Sequence, residues 1–378
     1  MAPLPQELFD TIIDEIHDKE TLKACALAAT SFLPPSQRNL FRKIRLGGHR
    51  SRDASASLAE FPHLVSYIRD LTIYMWDMVS NFAAVAAVLR SVQNIESLAV
   101  FGRAVNWNRL GYEASSALLD CLSRPSLRFL YLSSMRGVSA ALISAATAIP
   151  VVSFFHIRLD VREEISEQLH ASAPAPRLRH LILGDAGPAV RLICDFLLHP
   201  RKPAYTQQIE RLEIRIDQHS ASYDKRIMTA CAATLKYLAV SPADVIRLPL
   251  LPSLLEIEIK VFVGDSRRLP AFFAPNLSQI ASSLPFVETI TLVFVVEPLH
   301  PEVEWPDGTP LPIFGLSFMN RTQLLHLRQV HCKLLHRNVF SEANALFDRF
   351  VPAIESMMPG LHGTGILECT LDDSQHEL

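Results

Sequence analysis

Long apolar runs are missing from this sequence. The longest, around Leu284–Val296, is interrupted by Pro285, Glu288 and two threonines, and is too short and too polar to span a bilayer. The opening MAPLPQELFD is acidic and broken by proline, so it does not read as a targeting helix. Neither sign of charge dominates. The 378 residues carry 36 basic and 39 acidic side chains, a net charge of −3, which gives no pull toward nucleic acid or an acidic membrane. Paired cysteines are lacking too. Cys25, Cys121, Cys194, Cys231, Cys332 and Cys369 are scattered, none at metal-knuckle spacing, which fits free thiols in the cytoplasm or nucleus.

Catalytic signatures are equally sparse. There is no Walker loop and no helical His-Glu-x-x-His, and Gly315-Leu-Ser317-Phe-Met319 lacks the second glycine of a nucleophile elbow. Gly360, Gly363 and Gly365 follow a helical pattern and precede a strand, the reverse of a phosphate cradle, so they read as helix termination. His326, His331, Cys332 and His336, with His362 downstream, are the densest soft ligands. Neighbours in a strand point to opposite faces, so His331 and Cys332 would not converge on one metal. We expect no enzyme activity, no cofactor and no metal. What is present is globular in character: 49% hydrophobic and 20% charged residues, enough for two or three domains or one extended array.

The first forty-odd residues organise the rest. Pro5 can open a helix, and Phe9, Ile12, Ile13 and Ile16 share one face at three- and four-residue steps. Asp18 can cap a second helix carrying Leu22, Ala26, Leu27 and Ala29. Pro34 and Pro35 begin a third, expected to hold Leu40, Phe41 and Ile44. Three helices this short cannot bury all that apolar surface among themselves.

The wording Leu-Pro-x-Glu-Leu, an Ile-rich first helix, a second helix ending in Ala-Thr-Ser and a closing Leu-Phe-x-x-Ile-x-Leu resemble an F-box, closest to the F-box proteins of mushroom-forming fungi. The resemblance covers residues 4–46. It implies docking on the Skp-type adaptor of a cullin–RING (SCF) ubiquitin ligase, and through it on cullin, with the remaining chain selecting a protein substrate. It implies adaptor contacts from Leu4, Pro5, Leu8, Ile12, Ile13, Ile16, Leu22 and Leu27, with Phe41 and Ile44 behind or beside them. The alternative is an interaction scaffold that does not engage the adaptor.

From Tyr67 onward one pattern recurs: apolar, two variable, apolar, one variable, apolar. It appears as Ile68/Leu71/Ile73, Ile95/Leu98/Val100, Leu127/Leu130/Leu132, Val152/Phe155/Ile157 and Leu178/Leu181/Leu183. It returns as Ile209/Leu212/Ile214, Leu235/Leu238/Val240, Leu254/Ile257/Ile259 and Val287/Ile290/Leu292, with a degenerate copy at Ile366/Cys369/Leu371. Helical segments alternate with these copies: 81–92, 112–122, 139–149, 188–198, 222–233 and 271–284. Strands buried on both faces would be continuously apolar, and these are not. The expected fold is therefore α/β: a three-helix F-box-like module, then a curved βα solenoid with its parallel sheet on the concave face. It is similar to leucine-rich repeats but lacks their asparagine ladder, so irregular loops are expected.

The expected organisation is a helical module over 1–46, a linker over 47–66, repeats over 67–296, and a proline-rich loop with a capping segment over 297–378. On the open strand face the pattern places Phe129, Tyr131, Phe154, His156, Arg158 and His180, then Arg211, Glu213, Arg215, Glu256, Glu258 and Lys260. An aromatic block beside mixed charge suits a protein-binding surface, with the first six as target contacts. The other reading is that the aromatics fill a narrow solenoid.

Overall fold

The computed structural model describes residues 5–47, 50–77, 82–158, 175–184, 188–199, 205–216, 221–242, 247–263, 279–280, 282–296, 324–336, 343–358, 361 and 363–372. The chain divides into two compact units, Met1–Leu178 and Arg179–Leu378.

The first unit begins with α1 (Gln6–Asp14), α2 (Lys19–Ala28) and α3 (Leu33–Phe41). Pro5 sits just before α1, with extended ψ, not inside its first turn. Asp18 caps α2: its carboxylate accepts from the Thr21 backbone N–H and hydroxyl, each at 2.7 Å. Those bonds hold the exposed Asp18 carboxyl below its ordinary pKa, because each favours the ionised form. Both α1 and α2 pack on α3, around Ile13 and Leu22 and an edge-on Phe9–Phe32 contact at 5.2 Å.

The third helix stops at Phe41, earlier than the apolar spacing suggests, and β1 (Lys43–Gly47) follows. Ile44 is therefore a strand residue, not a helical one. Leu40, Phe41 and Ile44 satisfy helical spacing, but Phe41, Ile44 and Leu46 satisfy the strand triplet, and Leu46 is fully buried. Within the stretch 47–66 lie α4 (Arg50–Glu60) and a 3-10 turn, Pro62–Tyr67. There follow β2 (Asp70–Tyr74), α5 (Phe82–Ser91), β3 (Ser97–Asn106), α6 (Gly111–Leu122), β4 (Phe129–Arg136), α7 (Ala140–Ala146) and β5 (Val151–Phe155). Ser139 caps α7 through the Leu142 N–H at 3.3 Å.

Each strand from β1 to β5 pairs parallel with the next in chain order. Two inward rows result, Ile44/Leu71/Leu98/Leu130/Val152 and Leu46/Ile73/Val100/Leu132/Phe154. The second row corrects the reading of β5. Its inward triplet is Ile149/Val152/Phe154, and Phe154 is core, 3% exposed, while Phe155 turns outward and is half-buried. A one-residue slip in frame exchanges faces along a whole strand. The loops are irregular, as the missing asparagines suggest. The β3–β4 register shifts between Phe101 and Val105, and Arg103, Ser134 and His156 adopt positive φ.

The second unit contains β6 (His180–Gly184), α8 (Pro188–Leu197), β7 (Arg211–Ile216), α9 (Ala221–Cys231), β8 (Tyr237–Pro242) and β9 (Glu256–Val263). It continues with β10 (Thr289–Val296), β11 (Gln329–His336), α10 (Ala343–Met357) and β12 (Leu367–Asp372). These strands also pair parallel in chain order, and the sheet is not closed. Phe196 stacks on Tyr205 at 5.5 Å, and Phe294 meets Phe350 of α10 edge-on at 5.2 Å.

The last repeat is displaced from its expected frame. Leu367 pairs with Val330 and Cys369 with Cys332, so the β12 triplet is Thr364/Leu367/Cys369. The outward face also closes at β10, where Val293 and Val295 are buried; Val295 lies in register between Phe262 and Leu335. The expected helix over 271–284 and the proline-rich loop after Glu297 fall largely outside the described residues.

Candidate binding faces

The helical module leaves apolar side chains in water. Leu8 is 48% exposed, Ile12 58% and Leu27 88%. Leu8 and Ile12 stand four residues apart, on one face of α1. Pro5 is exposed as well. Two of the residues assigned above to the adaptor are instead the module's own core: Ile13 and Leu22, each 3% exposed, fill the space where α1 and α2 meet α3. Ile16, Phe41 and Ile44 are half-buried, and Leu4 lies outside the described residues.

A polar cleft of about 270 Å³ separates this module from the start of the sheet. Its acids are already engaged: Arg38 holds Asp14 at 3.1 Å and Arg69 lies 3.5 Å from Glu96. Asn39, Arg42 and Tyr67 complete the lining.

On the outward face of the first sheet, parallel registers stack side chains into cross-strand rows. One row runs Gly47, Tyr74, Phe101, Ser133 and Phe155, and the next Arg45, Thr72, Ala99, Tyr131 and Ser153. The rings touch in series. Trp76 meets Tyr74 at 4.9 Å, Tyr74 stacks on Phe101 at 5.2 Å, and Phe101 meets Tyr131 at 5.1 Å. All four are half-buried, as is Phe129, so these rings keep part of their surface in water, whereas Ser133 and Ser153 in register beside them are buried. Of the expected target contacts, Phe129 and Tyr131 thus lie on this face. His156 and Arg158 are exposed just beyond β5, and Phe154 is excluded by burial. Tyr74 and Phe101 escaped the sequence reading because each follows the last inward residue of its copy. Extending the alternation by one position would have found both.

In the second unit the outward face carries a cluster of mutually satisfied charges around Glu213 and Glu258, while Glu256 is exposed with no ion pair among the described residues. His180 lies 2.9 Å from Glu213, Lys260 lies 3.9 Å from Glu213 and 3.3 Å from Glu258, and the Tyr237 hydroxyl donates to Glu258 at 3.1 Å. The Arg211 guanidinium sits over the Tyr237 ring at 4.0 Å, a cation–π contact. Burial pushes the Glu213 carboxyl up. The His180 hydrogen bond and the charges of Lys260, His180 and Arg211 outweigh it and hold the group below its ordinary pKa. Burial and the neighbouring Glu258 and Glu213 carboxylates raise the Tyr237 phenol well above its usual range. A carboxylate kept ionised and a phenol kept neutral stabilise a surface; they do not make an acid–base pair poised near neutrality.

The soft-ligand group disperses. His331 pairs with Glu368 at 3.1 Å on the outward side, Cys332 is buried on the inward side, and His326 lies against Phe286. His362 and the His336 side chain lie outside the described residues. Among the described residues no three His, Cys, Asp or Glu side chains could hold a metal. No helix among them is long and apolar enough to cross a membrane.

No family model matches this chain. No curated protein matches it either. Among solved structures it is similar to the leucine-rich repeat-containing protein LegL7 from Legionella pneumophila, at 13% identity and a TM-score of 0.37, over 71% of this chain and 95% of that one. The repeat architecture of this chain rests on its own strand registers.

Proposed function

We propose that this protein is a substrate-recognition subunit of an SCF ubiquitin ligase, acting as a tether and performing no bond chemistry itself. The helical module docks on a Skp-type adaptor and through it on cullin. The repeats form a curved βα solenoid whose outward strand face holds a target protein, in the cytoplasm or nucleus. Tethering raises the target's effective concentration beside the ubiquitin-carrying subunit.

The observation that carries this reading is the exposure of Leu8, Ile12 and Leu27 on a module whose own core is already filled by Ile13 and Leu22. Fully burying such a side chain from water is worth about 1.5–3 kcal/mol, and roughly half or more of that remains to be gained at each of these three, enough together to anchor a contact. Affinity capture from lysate tests it. Adaptor and cullin should accompany the intact chain and be lost from Leu8→Asp/Ile12→Asp, at positions 48% and 58% exposed, with unchanged circular dichroism showing that the variant is folded. Capture of neither subunit by the intact chain would favour an adaptor-independent interaction scaffold.

A further inference from the structure

We infer that the aromatic row of the first unit is a docking site for an acidic protein segment carrying aliphatic or aromatic side chains. This deepens the target-binding part of the reading above and is independent of adaptor docking.

Charge decides the chemistry of the occupant. Lys43 and Arg45 are exposed on the outward face of β1, and Arg103 and Arg136 are exposed toward the C-terminal ends of β3 and β4. Among the described residues none of these four has an ion pair or side-chain hydrogen bond. Asp70, the acid on the same lattice, is half-buried and already has a partner. The second unit is the internal contrast. There Glu213, Glu258, His180 and Lys260 neutralise one another, and a charged ligand would have to break bonds already made. The first face offers cations with no partner among the described residues, beside half-buried rings. That pairing selects acids for orientation and apolar side chains for anchorage.

Spacing sets the motif. Neighbouring strands lie about 4.8 Å apart, so the β1 cations stand one strand from Tyr74 and about three strands from Tyr131. An extended segment advances about 3.3 Å per residue, which puts the acids within about four residues of the anchor. β2, β3 and β4, which carry the rings, are each paired on both sides, so contact with the rings is through side chains. The rings argue against single-stranded nucleic acid. Tyr74 and Phe101 stack on each other at an interplanar angle of 21°, and Trp76 closes on Tyr74, so they do not offer free platforms for bases.

The test is selection of phage-displayed random dodecapeptides on the full chain, followed by anisotropy with the best-enriched peptide labelled with fluorescein. The expected pool combines Asp or Glu with Leu, Ile or Phe. Its binding should weaken about tenfold in Tyr131→Ala or Phe101→Ala and fall as salt is raised. Lys43→Glu/Arg45→Glu, at exposed positions, should turn the preference toward basic peptides. Leu8→Asp/Ile12→Asp should leave the selected pool unchanged, so failure of adaptor docking cannot pass for failure of this site. A neutral or basic consensus on the wild-type chain would overturn the proposal. So would an unaltered preference in the charge-reversed variant, or tighter binding of a fluorescein-labelled oligouridylate.

Discussion

Phe154 separates two accounts of the same residue, surface anchor or core. At 3% exposure, in the inward row beside Leu132, it should behave as core. Returning a buried phenylalanine side chain to water forfeits about 2–3 kcal/mol of transfer energy. The cavity left behind adds about 1–2 kcal/mol where the surroundings cannot collapse, for a total within the roughly 3–5 kcal/mol seen for Phe→Ala in cores. The two neighbouring rows of a parallel sheet resist such collapse. Amide exchange followed by mass spectrometry suits a chain of two units, because a single melting temperature would mix them. Peptides spanning β4 and β5 in Phe154→Ala should lose about two to three and a half orders of magnitude of protection. Tyr131→Ala, on the half-open face, should change protection there by tenfold or less while weakening peptide capture. Unaltered protection in Phe154→Ala, or equal losses in both variants, would refute the frame assigned to β5 and with it the inward row.

Three other expectations follow from particular contacts. A Cβ at Gly102 would lie 2.6 Å from Met135 Cγ and 2.8 Å from the Ser134 carbonyl oxygen, so Gly102→Ala should destabilise β3–β4 by about 1–3 kcal/mol, read as faster amide exchange in both strands. Glu213 has a depressed folded pKa, so its stabilisation is present above the unfolded carboxylate value of about 4.3 and is lost as pH falls through the lower folded value; the protection difference between wild type and Glu213→Gln in β7 and β8 should shrink over that acid window. Burial raises the thiols of Cys121, Cys194 and Cys231, whereas a hydrogen bond from Cys332 favours the Cys369 thiolate, so iodoacetamide should label Cys369 well before those three, as read by peptide mapping.

What the sequence determined by itself was the presence and order of the elements. Inward strand positions must be apolar wherever a helix covers them. Copies such as Leu71/Ile73, Leu98/Val100 and Leu212/Ile214 therefore announced their strands, and all six of those side chains are buried. Local chemistry was legible for the same reason: Asp18 and Ser139 cap helices through their own neighbours, with no help from distant chain. Tertiary structure decided the frame wherever two alternations fit one stretch. Residues 149–157 satisfy the triplet twice, and only pairing with β4 sends Phe154 inward and Phe155 outward. Within 40–46, Leu40, Phe41 and Ile44 suit a helix while Phe41, Ile44 and Leu46 suit a strand, and pairing with β2 settles Lys43–Gly47 as strand. The same pairing built the aromatic row. Tyr74, Phe101 and Tyr131 lie far apart in sequence and meet only because parallel registers set one strand's outward residues beside the next. Alternation along a chain reports which residues share a face, but which face is buried depends on what packs there, and that is a property of the assembled sheet.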